Sequence, residues 1–180
     1  MTADQDDQRL PTPDEEVRFW GLLEAAWAPL GDDVDRARRA LAGRVPDDDG
    51  DSALVSIIDG ALEGFLRNLA KQSRELSAAE LTDFDRVLER KLYDIDRADI
   101  QAVTDGSDDG FLYARGFIVA LGRAYYAAVV RNPDMAVVDA ECEEMCYFFA
   151  HLHRERFGGF PATGSGITRE SCSNPAGWHF

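Results

Sequence analysis

The residues with the clearest chemical promise lie in one short stretch, Asp105-Gly106-Ser107-Asp108-Asp109-Gly110. Carboxylates and a hydroxyl this close together can do two different things. Ser107, Asp108 or Asp109 can accept hydrogen bonds from the free amides at the start of a helix, which makes the stretch a cap. Alternatively, Asp108 and Asp109 can form a small acidic site with Asp94 and Asp96, with Arg115 as counter-ion. The second reading needs the chain before the turn to fold back. Asp109 and Arg115 are six residues apart and do not share a helix face.

Arg115 and Arg123 stand in the most apolar stretch of the chain. An unpaired buried guanidinium is very costly, so each is expected to reach water or a carboxylate. A sharper alternative is an arginine clamp on a carboxylate or phosphate ligand. Glu141, Cys142, Glu143, Glu144, Cys146, His151 and His153 have the residue types of a metal set. Helical spacing divides them, because Cys142, Cys146 and His153 fall near one face while Glu141, Glu144 and His151 point elsewhere. Structural zinc wants four ligands, so buried cysteines packing as small hydrophobes are the simpler expectation. The acidic run Asp47-Asp48-Asp49-Gly50-Asp51 lacks the alternating ligands and distal glutamate of a calcium loop and reads as a linker. There is no Gly-x-Ser-x-Gly elbow, no phosphate loop and no dinucleotide fingerprint, and no cofactor is implied.

The elements that must position these groups are helical throughout. Thr12-Pro13-Asp14-Glu15 is a capping box with proline at the first helical position, and Val17, Trp20, Leu23 and Trp27 follow as an apolar stripe. A short charged helix is predicted over Val34 to Ala42, and a long one over Ser52 to Arg74, with Gly60 and Gly64 marking close helix contact or weakening the stretch. Ser77-Ala78-Ala79-Glu80 starts the next, carried by Leu81, Phe84, Leu88 and Leu92. Helices over Asp94 to Val103 and Asp139 to Phe157 flank a central apolar helix at about 110–131, whose apolar residues face most directions. The expectation is an all-α bundle of six or seven helices. Residues 1–11 are expected to be loose, 12–158 to form one helical domain, and 159–180 to form a Gly/Ser/Pro-containing tail that packs partly through Trp178 and Phe180.

Composition narrows the function classes. The 180 residues hold 19 Lys plus Arg against 34 Asp plus Glu, a net charge of −15. Phosphates repel such a surface, so neither nucleic acid nor an anionic membrane is an expected partner. No stretch is apolar enough for a membrane span, and the polar, acidic start has no signal-peptide pattern. Three cysteines without scaffold spacing suit a reducing cytoplasm, and 17 arginines to 2 lysines suggest a GC-rich bacterial genome.

Several segments taken in order resemble a known family. They are Phe19-Trp20-Gly21-Leu22-Leu23-Glu24-Ala25-Ala26, Ser77-Ala78-Ala79-Glu80-Leu81, Tyr93-Asp94-Ile95-Asp96, Ser107-Asp108-Asp109-Gly110-Phe111, Arg115-Gly116-Phe117-Ile118-Val119 and Glu141-Cys142-Glu143-Glu144. Over roughly residues 17–155 they are similar to the bacterial family known as domain of unknown function 4240. The family usually has Trp-Asp-Leu-Trp at 93–96 and Gly-Gly-Cys at 104–106, and this chain has neither. The resemblance implies a small helical domain and a candidate ligand pocket of Asp94, Ser107, Asp108, Asp109, Phe111 and Arg115. The function expected is a non-catalytic protein-interaction or regulatory module, with a protein partner and an open oligomeric state. Exposed aromatics at Trp20, Trp27 and the tail are the expected contact area. The alternative is a hydrolase or small-ligand-binding domain using the turn at Ser107-Asp108-Asp109. A third reading gives the acidic surface a basic partner or divalent ions.

Overall fold

The computed structural model describes residues 8–46, 51–104 and 106–178. Within them the fold is all-α, as the periodicity predicts, with no strand among the described residues. The helices are α1 (Pro13–Trp27), α2 (Asp32–Gly43), α3 (Asp51–Ser73), α4 (Ala78–Asp94), α5 (Ala98–Thr104), α6 (Asp108–Ala120), α7 (Arg123–Arg131), α8 (Glu143–Cys146) and α9 (Phe148–Phe157). Short 3-10 turns at Ala28–Leu30 and Pro133–Met135 join their neighbours. The acidic run at 47–50 and the first seven residues lie outside the described residues.

Both predicted capping boxes form. The Thr12 and Ser77 hydroxyls accept from the Glu15 and Glu80 amides at 3.2 Å, and the two glutamates accept in return from the Thr12 and Ser77 amides. Ser107 caps α6 by accepting from the Gly110 amide at 3.2 Å. The expected helix at 110–131 is two helices. Gly122 takes a φ of +96°, which only glycine adopts without cost, and the chain turns between Ala120 and Arg123. Likewise the helix expected from Asp139 starts at Glu143 and breaks at Tyr147, whose φ of −130° and ψ of 20° are not helical.

α6 lies at the centre, with Phe111, Arg115, Phe117, Ile118 and Val119 buried. It packs on α4, α7 and α8. Gly116 lets α8 approach, since a Cβ there would collide with the Cys142 carbonyl oxygen and the Cys146 sulfur. Gly64 similarly receives Leu30, whereas Gly60 faces open space. Trp20 and Trp27, expected at the surface, are core residues. Trp27 stacks on Phe65 at 4.4 Å and donates Nε1–H to the Ala120 carbonyl at 2.7 Å. Val17, on the predicted stripe, is exposed, and Phe19 is buried in its place.

The segment after α9 is the main departure from expectation. It has no helix, yet Ser165, Arg169 and Asn174 are buried. Its role is to satisfy buried charges. Asp96 is fully buried and accepts four hydrogen bonds from this segment, from the Cys172, Ser173 and Asn174 amides and from Trp178 Nε1, at 2.7–3.0 Å. Arg169 Nη2 donates to Asp85 Oδ2 at 2.6 Å, and its Nη1 donates to the Cys146 carbonyl at 2.7 Å. Thr163 and Ser165 donate to Glu89 Oε2 at 2.8 and 2.6 Å. The segment is therefore part of the packed domain. Phe180 lies outside the described residues.

Candidate functional site

The six residues carried over as a pocket do not share one cleft. Asp94 pairs with Arg90 on its own helix at 2.8 Å. Ser107 is the cap of α6, and Asp108 is exposed beside it. Phe111 is buried against Trp178, with ring centroids 6.1 Å apart. Arg115 is fully buried and, contrary to the expectation of a carboxylate or water, is held by carbonyls. Its Nη1 donates to Leu92 O and its Nη2 to Arg169 O, each at 2.8 Å, while its guanidinium lies over the Phe111 ring. Burial pulls its pKa down, and the Asp96 carboxylate opposes that shift. A link to the turn survives through the C-terminal segment. The Ser171 hydroxyl accepts from Arg115 Nη2 and donates to the Asp108 carbonyl at 2.6 Å. This is a structural tie from the Arg115 guanidinium through the Ser171 hydroxyl to the Asp108 backbone carbonyl, and the Asp108 carboxylate takes no part in it.

Asp109 alone of the six lines a cleft of about 530 Å³ that the helices build together. From α6, positions three and four apart place Asp109, Leu112 and Tyr113 along one side. The break at Tyr147 lets α8 contribute Glu143 and Glu144, and α9 contribute Phe148, His151, Leu152 and Glu155. Ala70 of α3 closes one end, and Glu170 of the C-terminal segment supplies another wall. Leu112, Phe148 and Leu152 give the cleft an apolar surface, joined by the rings of Tyr113 and Tyr147.

The charges around it are of one sign. Asp109, Glu143, Glu144, Glu155 and Glu170 line the cleft, and none of them forms a salt bridge among the described residues. The lining holds no lysine or arginine. The phenols report the resulting field. Tyr113 has its pKa raised chiefly by the charge of Glu143. Tyr147 is pushed up to about 12, first by burial and then by Glu170, whose Oε1 accepts its hydroxyl proton at 3.1 Å. On its two sides Tyr147 meets the His151 ring at 5.8 Å and the Arg169 guanidinium at 5.0 Å.

Such a cleft suits donors and cations, and no cysteine, serine or threonine lines it. Cys142 and Cys146 are buried, and burial pushes both thiols up to about 12, so they stay protonated at neutral pH. His153 bonds the Gly159 carbonyl through Nδ1. Among the described residues, no group of three or more His, Cys, Asp or Glu side chains is arranged to hold a metal ion. No described helix is long and apolar enough to cross a membrane. Glu143, Glu144 and His151 belonged to the metal-like set in the sequence. Their common cleft depends on the break at Tyr147, which a straight-helix reading hides. Glu170 arrives from a segment whose composition signals only loop.

A family model described as "Protein of unknown function (DUF4240)" matches residues 50–154. Most of the cleft lies inside that match, while Glu155 and Glu170 fall beyond it. No curated protein and no solved structure matches the chain.

Proposed function

Because the chain belongs to the DUF4240 family, whose description states no activity, we propose from the cleft itself that it is a non-catalytic interaction module docking a basic, amphipathic segment of a protein partner. The observation that carries this reading is the combination of five carboxylates, none salt-bridged, with an apolar surface and no lining lysine or arginine. Unpaired like charges around a cleft are unfavourable for the free protein and become favourable when a cation arrives. A leucine or similar anchor on the partner covers Leu112, Phe148 and Leu152, and flanking lysines or arginines meet the acids. The volume suits a few side chains rather than a whole folded surface. The net charge of −15 steers a basic partner toward the molecule and speeds association. Three free thiols, Cys142 and Cys146 buried and Cys172 exposed, fit a reducing cytoplasm. The hydrolase reading has less support, since Asp108 and Arg115 occupy different environments and both buried thiols are held neutral.

The test uses a fluorescein-labelled twelve-residue peptide of paired leucines and lysines, followed by anisotropy against the full chain. Binding is expected to weaken steeply with salt. The double variant Glu143→Gln, Glu144→Gln should weaken it about threefold to tenfold, as for two partly exposed charge pairs. Equal binding of a peptide with glutamate in place of lysine, or an unchanged affinity in the variant, would overturn the reading.

A further inference from the structure

A second cleft, of about 650 Å³, shares no residue with the first and has the opposite charge. It is lined by Arg39, Lys91, Arg123 and Arg131, with Glu16 as its one carboxylate. Glu16 is already bonded to Lys91 Nζ at 2.8 Å, and Arg39 is bonded to Asp35 at 2.5 Å. Arg123 and Arg131 are exposed and have no ion pair, hydrogen bond or ring contact among the described residues. In a chain with 34 acids to 19 bases, that pairing is left unmade at two arginines of one cleft.

The placement of Arg123 is costly to the fold, while Arg131, in the last turn of α7, suits the helix dipole. Arg123 opens α7, where its charge opposes the positive end of the helix dipole. Eight residues on, Arg131 stands about 12 Å farther along the axis. Ala124, Ala127 and Val130 lie between them on the same side of the helix, and Trp20 and Tyr126 also line the cleft. The result is a cationic groove with an apolar middle and a guanidinium at each end of one wall. Guanidinium forks match phosphate and carboxylate oxygens in pairs, and a cleft concentrates their field.

We propose that this groove is an anion site, taking a small, multiply charged anion whose phosphate or carboxylate groups pair with Arg123 and Arg131. A volume of about 650 Å³ suits a small ligand.

The experiment titrates the uniformly ¹⁵N-labelled full chain with sodium pyrophosphate and, separately, with citrate, at ionic strength matched by sodium chloride. Amide shifts are expected at Gly43, Ala124, Ala127 and Arg131, with either anion or both. The double variant Arg123→Gln, Arg131→Gln should keep the native spectrum, since neither arginine makes a contact to lose, and should bind the anion at least about tenfold more weakly. Three results would each overturn the proposal. They are shifts spread over other surfaces, shifts that persist in the double variant, and a groove that ignores both anions yet takes a glutamate-rich peptide. None of these bears on the acidic cleft, which the leucine–lysine peptide tests separately.

Discussion

Replacing Asp96 by asparagine should release the C-terminal segment from the domain. The carboxylate accepts Cys172 N–H and Trp178 Nε1–H on one oxygen, and Ser173 and Asn174 N–H on the other. An asparagine amide offers one oxygen and one NH₂, so it keeps two of these bonds and turns a donor toward the other two N–H groups. Hydrogen bonds to a charged acceptor contribute about 1.5–3 kcal/mol each, so the loss is roughly 3–6 kcal/mol. That is a large part of the ~5–15 kcal/mol by which a domain is usually stable. With a urea slope of about 2 kcal/mol/M, the midpoint of Asp96→Asn should fall by roughly 2 M. Hydrogen exchange gives the local readout, because the Ser173 and Asn174 amides should lose most of their protection. Peptide binding should weaken as well, since the same segment carries Glu170, which holds the Tyr147 hydroxyl in the acidic cleft. A midpoint within about 0.3 M of wild type, with protection at Ser173 and Asn174 unchanged, would refute the reasoning.

Ser107→Ala should cost about 1 kcal/mol in urea unfolding, the usual cost of a lost N-cap, and leave peptide affinity unchanged. Gly116→Ala should destabilise by roughly 1–3 kcal/mol despite alanine's better helix propensity, because its methyl meets the Cys142 carbonyl and the Cys146 sulfur; calorimetry measures the fall in Tm. Iodoacetamide at pH 8 should modify exposed Cys172 in the native chain and spare Cys142 and Cys146, as read by mass spectrometry of intact protein and peptides. The same two thiols set an alkaline limit. Their folded pKa values lie near 12 against an ordinary 9, so their contribution is complete below pH 9 and declines as pH rises from there toward 12, because the unfolded thiols ionise first. Urea midpoints measured from pH 8 to 11 should fall, and less steeply in Cys142→Ala.

The parts of the fold legible in the sequence are those decided by neighbours along the chain. Thr12 with Glu15, Ser77 with Glu80 and Ser107 before Gly110 each specify a helix start within four residues, and all three form. The apolar run from Phe111 to Val130 identifies the centre of the molecule but hides its break, because a glycine inside an apolar helix and a glycine between two helices look alike. Only the positive φ at Gly122 separates them. The C-terminal segment was hardest to read. Its glycines, serines and prolines describe a chain without helices, which it is, but its burial follows from Asp85, Glu89 and Asp96, whose need for donors appears only once α4 and the turn after it are folded. Arg115 is expected to reach water or a carboxylate and finds carbonyls at the end of α4 and in that same segment instead. The candidate site is legible at one residue, Asp109; Glu143 and Glu144 stand in the metal-like set around Cys142 and Cys146, and nothing in the sequence singles out Glu155 or Glu170.

The acidic cleft can be located directly with a nitroxide at one end of the leucine–lysine peptide, added to the ¹⁵N-labelled full chain. Docking in the cleft predicts selective loss of amide signals from Tyr113, Tyr147, His151, Leu152 and Glu155, reversed on reducing the nitroxide. Uniform loss over the surface, or loss centred on any other face, would contradict it.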